Sequence, residues 1–295
     1  MILDSENGLP FFTPLYAKQK VYLLIHHVHQ EVFRTSLRPP FSWLAQFLEL
    51  KVMPFVYRNT QTITVSPSSK QQILKHKLTK DEPLIIYNGV DLTKFVPGRK
   101  HVHPVVLYLG RLQSYKSLHV FIKAAKKILK EVPNAEFIIA GEGGQKNQLQ
   151  KLANSLDIAS KVTFTGRVTQ EQKVELMQKA WVFVNPSMME GWGITTIEAN
   201  ACGTPTVASK VPGLKDSIKD QETGFLVEYN NDTEFARKIV EIIRNKPLRK
   251  KLSANAIAWA KEFDWSKSAN ISINLFLRET KIHMKEKMMS ISPKM

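Results

Sequence analysis

The feature that most constrains this sequence is a regular alternation of strand-like and helix-like segments between residues 105 and 244. Val105–Leu109 is a continuous apolar run, and residues 117–131 then place apolar side chains at helical spacing with lysines between them. Further strand-like runs follow, including Glu136–Ala140 and Val162–Thr165. Strands that alternate with helices form a parallel sheet covered on both faces. The sequence therefore predicts an α/β fold whose ligands bind in the loops after the carboxyl ends of the strands.

The first 92 residues follow a different pattern. Three short strands are predicted, at Val21–Ile25, Thr62–Val65 and Ile85–Tyr87, with one long helical region among them. A doubly wound domain normally has about five or six strands, so we expect this lobe to be incomplete. The predicted domains are residues 1–95, a partial first domain; residues 96–262, a second domain; and residues 263–295, a final helix and tail.

Composition narrows the classes of protein. The chain is 43% hydrophobic and 23% charged, an ordinary globular balance. Its net charge of +16 favours polyanionic partners, which are nucleic acid, anionic lipid or a phosphorylated small molecule. The basic residues are scattered and no nucleic-acid-binding motif accompanies them, so we expect no nucleic-acid partner. Cys202 is the single cysteine, which excludes an intrachain disulfide and favours a reducing, cytoplasmic location.

The longest apolar stretch, residues 41–57, is too short and too interrupted to span a bilayer. The first ten residues also lack the basic and apolar regions of a secretory leader. We therefore expect a soluble protein, at most peripheral on the inner face of a membrane. Six apolar residues of the stretch either form a membrane-contact helix or, as we favour, are core or a face left bare by a missing segment. They are Phe41, Trp43, Leu44, Phe47, Leu48 and Leu50.

Two glutamates flank a turn with two glycines in the segment EGWGITTIE, residues 190–198. Gly191 and Gly193 would let backbone amides approach a ligand closely. A helix beginning at Gly193 would aim its N–H groups and positive dipole end at an anion such as a diphosphate. Glu198 would then suit the hydroxyls of a ribose, and Glu190 would lie near whatever the phosphate carries. Spacing alone leaves open the alternative of a surface loop with a capping glutamate.

A second motif, GRLQSYK at residues 110–116, follows the strand Val105–Leu109 directly. Arg111 and Lys116, five positions apart, could neutralise a departing diphosphate. Basic residues before a helix are common, so this motif alone also fits an ordinary solvated loop.

Taken together, these segments resemble the donor-binding domain of the family-four, or group-one, glycosyltransferases. The paired glutamates match that family's Glu-x7-Glu motif, and Gly110-Arg111-Leu112 with Lys116 matches its diphosphate-binding loop. Residues 88–91, with Phe95 and Pro97, match its interdomain signature. The resemblance implies the GT-B architecture of two facing Rossmann-like domains, here with the first domain incomplete.

The resemblance also implies roles for individual residues. Arg111 and Lys116 would hold the diphosphate and stabilise it as leaving group, Glu190 would contact the transferred sugar, and Glu198 would bind the ribose. The other implied donor-binding residues lie in the diphosphate loop, beside the nucleobase and in the glycine turn. They are Gly110, Arg167, Val168, Gly191, Trp192, Gly193, Ile194 and Thr195.

The family carries a histidine after the strand that corresponds to Val21–Ile25, near the acceptor and the transferred sugar. His26 is our choice for it and His29 the second choice; ordinary strand-end histidines are the plain alternative. We expect no metal at His26, His27 and His29, because the single cysteine is far away in sequence and zinc needs three or four ligands. No Asp-x-Asp motif appears, so no cofactor is expected besides the donor substrate, a UDP-, GDP- or ADP-sugar.

The implied function is retaining, metal-independent transfer of a hexose from a nucleoside diphosphate sugar to a glycan or lipid-linked acceptor. The family's first domain normally begins with a strand and a glycine-rich loop, and nothing before Pro10 matches them. We therefore expect about 80–100 residues to be absent, since a βαβ unit and more cannot fit. The alternative is a truncated, non-catalytic fragment that binds the nucleotide sugar. A sugar-nucleotide epimerase shares the architecture, but the two motifs argue against it.

Overall fold

Two parallel sheets organise the chain. The structure, a computed structural model, describes residues 1–6 and 8–277, apart from the side chain of Ser36. The strands are β1 (Ile2–Glu6), β2 (Val21–Ile25), β3 (Gln61–Thr64), β4 (Leu84–Ile85), β5 (Val105–Leu109), β6 (Glu136–Ala140), β7 (Val162–Gly166), β8 (Val182–Asn185), β9 (Thr206–Ser209) and β10 (Gly224–Val227). The first sheet has the order β1-β2-β3-β4, and the second has the order β10-β9-β8-β5-β6-β7. This confirms the predicted α/β class with two Rossmann-like lobes.

Helices cover both sheets. They are α1 (Gln30–Ser36), α2 (Phe41–Phe47), α3 (Met53–Val56), α4 (Pro67–Lys75), α5 (Leu118–Glu131), α6 (Lys146–Ser155), α7 (Gln170–Lys179), α8 (Ile194–Ala201), α9 (Leu214–Ser217), α10 (Asp232–Arg244) and α11 (Lys246–Ala260). A π-helical turn at Leu48–Val52 joins α2 to α3, so residues 41–56 form one continuous rod. Residues 265–277 are also helical, and we call this segment α12.

Strand β1 corrects the expectation of three strands in the first lobe. It pairs in parallel with β2 along its whole length. Asp4 and Glu6 kept this segment from being predicted as a strand, because a buried acidic side chain is unfavourable unless it is hydrogen-bonded. Asp4 meets this condition, since it accepts hydrogen bonds from Thr13 Oγ1 at 2.6 Å and from the Tyr57 hydroxyl.

The six-stranded sheet has a packed core on both of its faces. Phe121 and Phe137 are fully covered on the side of α5 and α10, and Phe183 and Ile197 on the side of α7 and α8. Burying one such side chain stabilises the fold by about 1.5–3 kcal/mol. The loops at the carboxyl ends of these strands therefore rest on a rigid platform.

Helix α12 returns to the first sheet. The Ser268 hydroxyl donates to the Tyr87 carbonyl at 2.6 Å. Further along, the rings of Tyr22 in β2 and Phe276 are 5.1 Å apart in an edge-to-face arrangement. The domain limits at residues 95 and 262 stay a prediction, and the predicted tail beyond residue 277 lies outside the described residues.

Candidate functional site

The two sequence motifs meet at one edge of the six-stranded sheet. Strands β5 and β8 are parallel neighbours, so the loops after them open on the same side. The loop after β5 ends in a 3-10 turn at Ser114–Lys116. The Met188 amide, in the loop after β8, donates to the Tyr115 carbonyl at 2.8 Å. This bond fastens the two motifs to each other.

Lys116 reaches across this junction to Glu190. Its Nζ lies 2.5 Å from Glu190 Oε1, and both side chains are mostly covered. Ser187 Oγ donates to the same oxygen at 3.0 Å. Partial burial strengthens the attraction within such a pair relative to a surface pair. An anionic ligand arriving here would compete with Glu190 for the lysine.

The turn between the two glutamates relies on its glycines. Gly193, the N-cap residue of α8, has φ 78°. This is a left-handed backbone conformation that residues with a side chain rarely adopt. A Cβ on Gly191 would lie 2.4 Å from the His26 carbonyl oxygen, so only glycine lets the first lobe approach this closely. The first amides of α8 and the positive end of its dipole therefore begin next to the junction between the lobes.

Glu198, inside α8, has a partner that the sequence motifs do not indicate. Lys173 Nζ, from α7, lies 2.5 Å from Glu198 Oε1, while Oε2 is buried without a hydrogen bond among the described residues. Burial raises the pKa of Glu198, and the nearby Lys173 opposes the shift. One carboxylate oxygen is thus held by Lys173, and the other is buried without a partner among the described residues. Only the three-dimensional packing of α7 on α8 reveals Lys173.

Arg111 faces the first lobe. Its Nη2 donates to the Tyr115 hydroxyl at 2.7 Å. A cavity of about 340 Å³ lies between this side chain and the loop after β2. It is lined by residues of both lobes: Gly8, His27, His29, Val32, Phe33, Leu37, Arg111, Gln113 and Tyr115. The predicted diphosphate arginine therefore opens onto the space between the lobes.

The remaining predicted donor residues are distributed along the same sheet edge. Arg167 is exposed and Val168 half-buried just after β7, and Ile194 and Thr195 are half-buried in the first turn of α8. The Gly110 amide is bonded to the Ala140 carbonyl at 3.0 Å.

Trp192 differs from these residues in where its side chain points. Its indole packs against the rings of Tyr87 and Phe263, with centroids 4.9 and 4.8 Å away. The ring therefore belongs to the core between the lobes, and only the backbone of Trp192 is placed to meet a ligand in the turn.

The histidines after β2 face different surroundings. The His26 carbonyl accepts a hydrogen bond from Ser69 Oγ at 2.8 Å, and burial lowers the pKa of the His26 ring. His27, which the sequence analysis did not choose as the acceptor-side histidine, lines the cavity beside Arg111. Burial and the positive groups around it, Lys116 and Arg111 among them, lower the pKa of His27 to about 3. His27 is therefore a neutral hydrogen-bonding group in the cleft.

His29 is held by two buried carboxylates. Its Nδ1 lies 3.1 Å from Glu6 Oε1 and 3.6 Å from Glu49 Oε1, and its amide donates to Glu49 at 2.7 Å. Burial by itself lowers the pKa of His29, but hydrogen bonds and charge attraction from Glu49 and Glu6 outweigh it and raise the pKa to about 9. Among the described residues these three could also hold a cation. The proton on His29 already supplies a positive charge at that position.

Comparison with known proteins identifies the family of the chain. The family model "Glycosyl transferases group 1" matches residues 90–259. An uncharacterized glycosyltransferase of Methanocaldococcus jannaschii is 31% identical in an alignment of 236 positions that covers 75% of this chain and 60% of that protein. A D-inositol 3-phosphate glycosyltransferase of Streptomyces scabiei is 31% identical in an alignment of 226 positions that covers 70% of this chain and 51% of that protein. The chain thus spans little more than half the length of these relatives.

Solved structures share the fold. Sucrose-phosphate synthase from Thermosynechococcus elongatus superposes with a TM-score of 0.77 at 22% identity, covering 91% of this chain and 70% of that one. Anabaena HepE in complex with UDP and glucose gives a TM-score of 0.74 at 21% identity, covering 89% of this chain and 72% of that one. At this identity the likeness establishes the fold alone.

Proposed function

Because the chain belongs to the glycosyltransferase group 1 family, as the sequence motifs predicted, we propose that it transfers a hexose from a nucleoside diphosphate sugar to a glycan or lipid-linked acceptor with retention of configuration. The observation that carries the proposal is the pair of lysine–glutamate contacts that frame the glycine turn, Lys116 with Glu190 and Lys173 with Glu198. Without a ligand, each pair neutralises itself. A bound donor would exchange these internal contacts for its own.

The diphosphate would lie between Lys116, Arg111 and the amides of α8. Two cations and a helix N-terminus offer fixed positive charge where the leaving group becomes more negative. Such an arrangement stabilises the transition state more than the ground state, as catalysis requires. It can replace a divalent metal in this role, and we therefore propose metal-independent transfer.

The ribose and the transferred sugar would meet the two glutamates. Glu198 Oε1, released by Lys173, can accept hydrogen bonds from ribose hydroxyls. Glu190, released by Lys116, can accept from hydroxyls of the transferred sugar. Arg167 and Val168, after the edge strand β7, would flank the nucleobase.

The acceptor would enter from the cavity lined by His27 and Arg111. In the proposed step, the acceptor oxygen attacks the anomeric carbon from the side of the leaving group, and the bond to the diphosphate oxygen breaks. The acceptor proton passes to a leaving phosphate oxygen, so the products are the glycoside and the nucleoside diphosphate. His27 stays neutral and would orient a hydroxyl, beside or in place of the predicted His26.

The alternative is a chain that binds the nucleotide sugar without transferring it. The fact in its favour is the share of the relatives that this chain covers, 60% and 51% of their lengths. Donor binding and transfer therefore need separate measurements.

Binding is tested by calorimetric titration of UDP, GDP and ADP into the protein and its variants. For the preferred nucleotide, Arg111→Ala and Glu198→Gln should each weaken binding about 10- to 100-fold, because each removes a hydrogen bond to a charged group. Matched controls are Arg99→Ala and Glu175→Gln, at exposed positions away from the turn. Equal affinities in the site variants and the controls would refute the assigned roles.

Transfer is tested by following UDP-hexose, or the hexose of the preferred nucleotide, by proton NMR. Retention predicts that the first sugar product carries the anomeric configuration of the donor. Donor binding with no turnover in the presence of glycan and lipid-linked acceptors would favour the alternative. The inverted anomer as first product would exclude the proposed step.

A further inference from the structure

One side of the rod formed by residues 41–56 is apolar where it faces solvent. The exposed positions recur every three or four residues, which places them on one face of the helix. They are Phe41, Leu44, Phe47, Lys51 and Phe55, followed by Arg58 just past the end of the rod. Trp43 lies beside them and is 66% exposed. We call Phe41, Trp43, Leu44, Phe47 and Phe55 the apolar stripe.

The apolar stripe corrects part of the expectation drawn from sequence. Phe41, Trp43, Leu44 and Phe47 are more than half exposed, so they are not core residues. The core contacts of the same rod come from its opposite face, where Ala45 and Met53 are buried. The rod therefore has two apolar faces, and only one of them is covered by the described residues.

A neighbouring loop enlarges the same surface. Leu15 is 69% exposed and lines a groove of about 460 Å³ together with Phe55 and Arg58. The rings of Phe12 and Tyr57 are 6.5 Å apart, and the Tyr57 hydroxyl donates to the carboxylate of Asp4. These contacts fasten the loop to the end of the rod. Buried hydrogen bonds from Tyr57 and Thr13 to Asp4 thus fix the position of the exposed apolar residues.

Within the two segments that form this surface, the exposed charges are of one sign. Residues 9–20 and 37–60 contain one carboxylate, Glu49, and it is buried against His29. The same segments contain five exposed cationic side chains: Lys18, Lys20, Arg38, Lys51 and Arg58. Aromatic and aliphatic side chains beside lysine and arginine suit the boundary between headgroups and acyl chains of an anionic bilayer.

We propose that the apolar stripe docks this protein on an anionic lipid surface. A protein partner would have to supply pockets that fit these side chains, whereas a bilayer needs only an apolar face with cations beside it. The contact would be peripheral, because no helix in the described part of the chain is long and apolar enough to cross a membrane. The +16 net charge supplies the longer-range attraction.

Docking through this face would also hold the cleft near the bilayer. Leu37 lines the cavity that contains Arg111, and the rod begins four residues later at Phe41. An acceptor carried by a lipid would then have a short path into the cavity. The docking proposal does not depend on the proposed transferase activity, since the vesicles in its test contain no sugar acceptor.

Co-sedimentation with large vesicles tests the proposal. The full chain should bind vesicles with about one third phosphatidylglycerol in phosphatidylcholine, and bind pure phosphatidylcholine at least about tenfold more weakly. The double change Trp43→Ser and Phe47→Ser should weaken binding to the anionic vesicles at least about tenfold by removing two aromatic anchors. Lys51→Glu with Arg58→Glu should produce a similar loss through charge.

Matched controls separate the surface from bulk properties. Val102→Ser removes a 76% exposed apolar residue far along the chain, and Lys250→Glu with Lys251→Glu makes the same charge change on α11. Both controls should bind vesicles within about twofold of the unchanged chain, apart from the long-range share of the charge effect. Trp43→Phe should keep binding but lose part of the blue shift of tryptophan fluorescence on vesicle addition.

Three outcomes would overturn the proposal. The chain could fail to bind anionic vesicles, or Lys250→Glu with Lys251→Glu could weaken binding as much as the changes at Lys51 and Arg58. Light scattering could instead show a dimer that the Trp43→Ser and Phe47→Ser change dissociates. Far-UV circular dichroism and thermal unfolding, measured on each variant, show whether the protein is still folded.

Discussion

His29 in the first lobe and Lys100 in the second are both covered cationic side chains, and their surroundings shift their pKa values in opposite directions. In the first lobe, the carboxylates of Glu49 and Glu6 overcome the effect of burial and raise the pKa of His29 to about 9. In the second lobe, burial lowers the pKa of the partly covered Lys100 to about 8. Its Nζ donates to two neutral acceptors, the Thr204 hydroxyl at 2.5 Å and the Cys202 carbonyl at 3.4 Å. The charged form of His29 is stabilised by two carboxylates, whereas the charged form of Lys100 is disfavoured by burial.

The difference reflects how each lobe is stabilised. The second lobe has apolar clusters on both faces of its sheet and holds its motifs on loops at one edge. The first lobe joins β1, the loop after β2 and the rod through charged groups, and it leaves an apolar face in solvent. Substituting His29 should therefore destabilise the first lobe much more than substituting Lys100 destabilises the second.

The largest expected effect is that of His29→Ala. It leaves Glu6 and Glu49 buried without a positive partner, which should lower the free energy of unfolding by about 4 kcal/mol at pH 7. Chemical denaturation measures the change, and hydrogen exchange should locate it in β1, β2 and the rod. His26→Ala, the matched control, should cost less than about 1.5 kcal/mol, since that ring has no carboxylate partner. Equal losses in the two variants would contradict the electrostatic role of His29.

The pH dependence of stability should be the next largest effect. The pKa of His29 is raised in the folded state from 6.5 to about 9. Its contribution is therefore fully present below pH 6.5 and is lost as the pH rises through 9, a change of roughly 3 kcal/mol in the free energy of unfolding. The difference between the unchanged chain and His29→Gln, measured from pH 6 to 10, isolates this contribution. A difference that does not vary with pH would disprove the shift.

Lys100→Met should have the smallest effect and the opposite pH trend. The pKa of Lys100 is lowered in the folded state from 10.5 to about 8. The unfolded chain then binds more protons between those values, so this lysine makes stability rise with pH across that window. At pH 7 the buried charge costs stability, so methionine removes that cost while it gives up the hydrogen bonds of Nζ, and the free energy of unfolding should not fall by more than about 1 kcal/mol. A loss as large as that of His29→Ala would show that both lobes depend on their buried cations alike.

The strands and helices of the second lobe could be predicted from the sequence, because each is specified by residues that are close together in the chain. Apolar periodicity gives the alternating elements, and a parallel sheet brings the loops after its strands to one edge. Arg111, Lys116, Glu190 and Glu198 could therefore be selected from spacing and family resemblance. Asn231 caps α10, with its Oδ1 accepting the Glu234 amide at 3.0 Å.

The first lobe was harder because its decisive contacts join distant residues. Strand β1 was missed, since Asp4 and Glu6 read as solvent-exposed until their partners are known. His29 and Glu49 are 20 residues apart in the chain, and nothing in either local pattern indicates the other.

By itself, the sequence determined the α/β architecture, the family and the loops that carry the donor motifs, because these follow from short-range periodicity and from residues close together in the chain. Only the tertiary structure decided which histidine faces Arg111, that Lys173 holds Glu198, and that one face of the rod stays bare. Those outcomes depend on the direction of each side chain and on what packs against it. Both are set by long-range contacts that a linear pattern does not record.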